Sequence, residues 1–127
     1  MALNKFKILT FILLISTAYS VLTKETSKNN NLPISIKQLL LTGQYQQALP
    51  QIIELAEHGN SQDQYQLALM YLQGKSVNTS TKKAEYWLLQ ASALNKKASY
   101  LIGSLYAQGK GLTKDLDKAK TFLALSK

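Results

Sequence analysis

The chain has 127 residues, room for one domain or a short array of repeats. It contains no cysteine, which excludes disulfides and thiolate metal sites, and its one histidine has no second imidazole to share a metal with. All fifteen basic residues are lysines, set against seven acids for a formal charge of +8; without arginine the forked contacts that nucleic-acid readers make to guanine and phosphate are missing, so no nucleic-acid partner is expected. The lysines read first as a solvated shell and second as an attraction for anionic polymers or acidic proteins.

Residues 1–20 have the form of an export signal. Lys5 and Lys7 precede the apolar run Ile8-Leu-Thr-Phe-Ile-Leu-Leu-Ile15, and small Ala18 and Ser20 set cleavage after Ser20. The run is short for a bilayer span; the rival reading is an uncleaved inner-membrane anchor over residues 8–22. Cleavage removes two lysines and no acid, leaves +6, and places the mature chain in the periplasm or outside the cell with no membrane span. Residues 21–33 are polar and aperiodic, a flexible linker, and residues 34–127 form the folded domain.

A first helix is expected over residues 34–42, with Ile36, Leu39 and Leu40 on one side and Gly43 as its stop. A second starts near Gln44, carries Tyr45, Ala48, Leu49, Ile52, Ile53 and Ala56 at helical spacing, is kinked by Pro50, and ends at Gly59-Asn60. Two helical pairs follow. The first has helices over residues 62–73 and 81–94, with Asn95 closing the second in the left-handed conformation usually given to glycine. The second pair covers residues 97–108 and 116 to the end of the chain. Ser80 and Asp115 are residue types that cap the second helix of each pair, and Asp117 suits the same helix end.

These pairs are one paragraph written twice. Tyr65-Gln-Leu-Ala-Leu-Met-Tyr71-Leu-Gln-Gly74-Lys stands over Tyr100-Leu-Ile-Gly-Ser-Leu-Tyr106-Ala-Gln-Gly109-Lys at a spacing of 35. At the same spacing Lys83-Ala84 answers Lys118-Ala119, and Trp87-Leu88 answers Phe122-Leu123. A fixed period of this size marks stacked helical units. The helix holding Ala98, Leu101, Ile102, Gly103, Leu105 and Tyr106 is apolar over most of its circumference, so it requires neighbours on more than one side. Ala68 and Gly103 withdraw side-chain bulk where the second helix of each pair comes close, and Trp87 and Phe122 supply the large partners. The fold class is all-α: a right-handed α/α solenoid with a partial unit at 34–60 and full units at 61–95 and 96–127.

The second unit resembles the Sel1-like repeat, a variant of the tetratricopeptide pair, through Ala98, Ile102-Gly103, Tyr106, Gly109-Lys-Gly111-Leu112, Asp115, Lys118-Ala119 and Phe122-Leu123. The first does so through Leu67-Ala68, Tyr71, Gly74, Val77, Lys83-Ala84, Trp87 and Ala91-Ser92. Ser76 stands where the pattern has its second turn glycine and Ser80 where it has an acidic cap, so a looser first turn is expected. The resemblance implies a non-enzymatic scaffold or adaptor for protein–protein contact in a bacterial envelope or outside the cell, with no cofactor. Some secreted relatives are cysteine-rich and linked to β-lactam binding or hydrolysis; the absence of cysteine argues against that branch. Lysine-mediated binding of anionic envelope polymers is the other alternative.

No residue set makes a persuasive catalyst. His58 sits in a last helical turn, where a capping role suits it. Ser80-Thr-Lys-Lys83 fits S-x-x-K, but the S-D-N and K-T-G strings that accompany it in penicillin-recognising enzymes are missing, and the cap explains Ser80. Gly109-Lys-Gly111 is a turn rather than a phosphate loop. Asn78-Thr-Ser80 matches the three-residue glycosylation acceptor of a eukaryotic secretory route. The candidate protein-binding residues are Tyr65 and Leu69 of the first unit and Tyr100 and Ser104 of the second, which align along one wall of the stack, against the alternative that they pack on adjacent helices. Phe122 joins them: with Leu123 and Leu125 it lies on a final helix that no further unit covers, a surface for a partner or for self-association.

Overall fold

The structure, a computed structural model, describes Ser35–Lys127. The expected signal peptide at 1–20, the anchor alternative at 8–22 and the linker at 21–33 lie outside the described residues. Among the described residues there are six α-helices and no strand: α1 (Ile36–Leu41), α2 (Tyr45–Glu57), α3 (Ser61–Gln73), α4 (Thr81–Ala91), α5 (Lys96–Gln108) and α6 (Leu116–Leu125). Consecutive helices pack on one another, and the closest pairings are α3 with α4 and α5 with α6, the two hairpins of the 35-residue period. Helix α2 continues through Pro50 without ending.

Every helix except α2, whose Gln44 makes no side-chain cap, starts where a side chain satisfies free amide hydrogens. Ser35 accepts from the Gln38 amide, Ser80 from Lys83 (3.2 Å), and Asp115 from Asp117 and Lys118 (3.1 and 3.0 Å). Asn60 accepts from Gln62 and Asp63, and Asn95 from Lys97 and Ala98. The role of Asn95 therefore differs from the expected one. Helix α4 ends three residues early, at Ala91, and Asn95 has φ −122° and ψ 104°, the extended cap of the next helix. The physical reason is that α5 needs an oxygen at its start more than α4 needs a left-handed stop. Asn60, at the matching place, already carried that signal. Asn95 also donates through Nδ2 to the Ser61 carbonyl and Gln62 Oε1, both at 3.3 Å, which ties the starts of α3 and α5.

The first turn is not looser. Ser76 adopts φ +60°, beside +76° at its counterpart Gly111, so the same backbone is kept at the cost of a left-handed non-glycine residue. Gly111 has no such freedom: a Cβ there would come within 2.5 Å of Thr81 Oγ1. Both turns close alike, with the Ser80 amide on the Tyr71 carbonyl (2.9 Å) and the Asp115 amide on that of Tyr106 (3.0 Å). Lys83 and Lys118 then stand 5.3 and 5.0 Å from the centroids of Tyr71 and Tyr106, a cation–aromatic contact repeated with the period.

Packing within the hairpins depends on small residues. A Cβ on Gly103 would lie 2.9 Å from Leu123 Cγ, 3.1 Å from the Leu123 nitrogen and 3.2 Å from the Ala119 oxygen, so α6 rests directly on the backbone of α5. Ala68 and Ala84 are fully buried at the matching positions of α3 and α4. One core gathers Leu88, Ile102, Leu105 and Tyr106 around these alanines; another gathers Leu39, Ile52, Leu67 and Met70. Trp87 and Tyr71, both half-buried, pack against the two cores together. Enclosing a side chain such as Leu88 or Ile102 contributes about 1.5–3 kcal/mol.

Buried polar groups link one unit to the next. Gln64 donates through Nε2 to the Ala56 carbonyl (3.1 Å), near the end of α2, and Ser99, 35 residues on, donates to the Ser92 carbonyl (2.8 Å), just past α4. Each first helix thus bonds a carbonyl at the C-terminal end of the helix before it.

Gly103→Ala is expected to lower stability by about 1–3 kcal/mol, because two of the three close atoms are backbone and cannot rotate away; urea unfolding of the purified chain measures it. Ser76→Gly is expected to raise the urea midpoint, with a gain of up to about 1 kcal/mol, and Gly111→Ala to lower it by about 1–2 kcal/mol or more.

Candidate functional site

Helices α1, α3 and α5 each pack on their chain neighbours rather than closely on one another, and two hollows open between them. The first, of about 670 Å³, has an apolar floor from Ile36, Leu40 and Leu41 of α1, Tyr45 at the start of α2 and Leu69 of α3. Lys37, Asp63, Gln66, Gln73 and Lys75 stand around it. The second, of about 430 Å³, is lined by Tyr65 and Leu69 of α3, Lys96, Lys97, Tyr100 and Leu101 of α5, and Ser126. Leu69 belongs to both, so the hollows form one strip across the three helices.

The apolar residues of this strip are available to a ligand because the cores do not use them fully. Tyr100 is 62 % exposed and Leu41 78 % exposed. Lys75 Nζ donates to the Tyr45 hydroxyl at 2.7 Å and lies 4.4 Å from the ring centroid, which holds that ring at the rim of the first hollow. Lys96 Nζ donates to the Lys127 carbonyl at 2.6 Å beside the second. Burial pushes the Asp63 carboxyl above its ordinary range.

Of the residues singled out from the sequence, Tyr65, Leu69 and Tyr100 come together around the second hollow. Ser104 lies one turn further along α5, half-buried, with its hydroxyl donating to the Tyr100 carbonyl at 2.8 Å. Phe122 is elsewhere. Its half-buried ring stacks on Tyr106 at 6.1 Å between centroids, and Leu123 packs on Gly103. The apolar side chains that α6 leaves in solvent are Leu116 and Leu125, of which the sequence had suggested only the second. The first hollow was not foreseen as a site. Its signal was available in the composition of α1: four of six residues are large and aliphatic, but only Leu39 is buried, so the others exceed what the core can cover.

The residues weighed for catalysis have structural partners. The His58 ring bonds the Glu54 carbonyl at 2.6 Å, and since a carbonyl only accepts, Nδ1 carries the proton; His58 is the C-cap of α2. Ser80 Oγ accepts an amide hydrogen of its own helix, and the Lys83 ammonium stands over Tyr71. Among the described residues, no three His, Asp or Glu side chains gather in a way that could hold a metal ion. The part-buried Tyr106 hydroxyl donates to Glu85 Oε1 at 2.5 Å. Its pKa is pushed up to about 12, first by loss of solvent, then by that bond and by the charges of Glu85 and Asp115.

Because the folded chain favours the neutral phenol, the Tyr106 contribution to stability is complete below the ordinary tyrosine value of 10.0 and is lost as pH rises towards about 12. Urea midpoints measured at increasing pH across this window should fall more steeply for the wild type than for Tyr106→Phe; the lysine titrations common to both cancel in the comparison.

The comparisons with known proteins agree with this architecture. A family model described as Sel1 repeat matches residues 61–96 and 96–126. A solved Sel1 repeat protein from Oxalobacter formigenes is similar at 23 % identity and a TM-score of 0.67, over 72 % of this chain and 38 % of its own. A protective antigen of uropathogenic Escherichia coli strains, described as displaying an SLR fold, is similar at 23 % identity and a TM-score of 0.62, over 80 % of this chain and 24 % of its own. This chain therefore spans well under half the length of either, and the likeness is one of fold. A search of curated proteins found no match.

Proposed function

Since the chain belongs to the Sel1 repeat family, we propose that its folded part is a non-catalytic scaffold that holds a partner protein along the wall built by α1, α3 and α5, and that it works in the bacterial envelope or outside the cell after export. The observation that supports this most directly is the continuity of the two apolar hollows at Leu69. An apolar strip with aromatic rings at its edges suits side chains of another polypeptide, and tyrosines are frequent anchors in such contacts. The His58 ring and the Ser80 hydroxyl bond the ends of helices, which is consistent with a role in structure. The export signal read in residues 1–20 supports the location.

Selection of a random peptide display library on the full chain tests the binding reading. Specific peptides are expected to be enriched, with Tyr100→Ala and Leu69→Ala each weakening them by about 1–2 kcal/mol and Leu94→Ala, on the turn before α5, leaving them unchanged. Enrichment insensitive to both wall variants would refute it. N-terminal sequencing of the exported protein tests the location: Val21 as first residue is expected, and a chain that stays in the membrane with residues 1–20 attached would establish the anchor instead.

A further inference from the structure

Resting on that reading, we infer that the occupant of the wall is an acidic and apolar polypeptide segment, whose apolar side chains seat on either side of Leu69 while Asp or Glu residues reach Lys37 and Lys75 at one hollow and Lys96 and Lys97 at the other.

The argument is charge complementarity at an apolar surface. Four ammonium groups line the two hollows and one carboxylate does. One of the four is held in place by the fold, Lys75 on the Tyr45 hydroxyl, so it presents a cation at a settled position. Both Lys37 and Lys97 are exposed, and the single ion pair among the described residues, Lys118 with Asp115, lies on α6 and engages neither. The one acid at the wall, Asp63, is disfavoured in its charged form by burial, so it offsets the lysines less than a solvated carboxylate would. A basic segment laid on this strip would meet like charge at both hollows, which costs affinity and excludes the wrong partner. A neutral apolar segment would gain the floor and forgo the rim.

A polypeptide is favoured over an anionic polymer or lipid surface because the lysines do not form a patch of their own. They border two apolar concavities, where a chain can place a side chain and a carboxylate a few residues apart.

The test uses the full chain and three synthetic peptide sets with the same apolar residues, in which the intervening positions are glutamate, glutamine or lysine. Fluorescence anisotropy at low and moderate salt reads the affinity, and vesicles of anionic phosphatidylglycerol form a separate arm. The glutamate set is expected to bind about tenfold or more tighter than the glutamine set, with the advantage shrinking as salt rises. In the double variant Lys37→Glu and Lys97→Glu the order should reverse in favour of the lysine set, and circular dichroism should show the helices intact, since both positions are exposed and helical and glutamate is a good helix former. Equal binding of glutamate and glutamine sets, abolished by Tyr100→Ala, would overturn the acidic partner and leave the scaffold reading standing. Absence of binding by every set, with a library that also yields nothing, would overturn both. Binding to vesicles that survives Tyr100→Ala and vanishes in the lysine double variant would assign the face to anionic lipid and overturn the inference.

Discussion

Everything in this molecule follows from how closely two helices can approach when one of them gives up its side chain. At Gly103 the backbone of α5 touches the backbone and Leu123 side chain of α6, and fully buried Ala68 and Ala84 occupy the same places in α3 and α4. A contact this close fixes the geometry of each hairpin, and the small residues that allow it recur at a 35-residue spacing. The large side chains are then assigned by what remains. Trp87 and Tyr71 fill the space between the two cores, and Phe122 stacks on Tyr106 within the second unit.

Polar groups complete the stack. Gln64 and Ser99 are buried but satisfied, each donating to a carbonyl near the end of the preceding second helix, so the junction between units carries a hydrogen bond as well as apolar contact. Asn60 and Asn95 start the first helix of each full unit, and Asn95 reaches back to α3. An unsatisfied buried donor or acceptor costs more than such a bond gains, which is why these sites specify register rather than merely add stability. Helix ends also engage His58 Nδ1 and Ser80 Oγ, one at the close of α2 and the other at the start of α4.

The wall of α1, α3 and α5 is a by-product of this order. The first helices of successive units are held by the second helices between them, so they stand apart and leave hollows. A residue on that face need not contribute to the core, and Tyr100 and Leu41 do not.

The amino-acid sequence by itself determined the period, the helical pairs, the small residues at their seams, the caps at Ser80 and Asp115, and the family, because these depend on interactions within a few turns of helix or on identity at a fixed spacing. It also brought Tyr65, Leu69 and Tyr100 to one wall, since equivalent positions of stacked units must align. Only the tertiary structure decided the rest. Asn95 caps α5 instead of closing α4, since one residue between two helices can serve either and the choice lies with the helix whose start it also ties to Ser61. Ser76 keeps a glycine-like φ, while Gly111 must remain glycine, since Thr81 at the start of α4 crowds it. The hollow between α1 and α3 and the inward turn of Phe122 depend on which neighbours come within reach, and no local pattern encodes a distance between helices that are far apart in the chain.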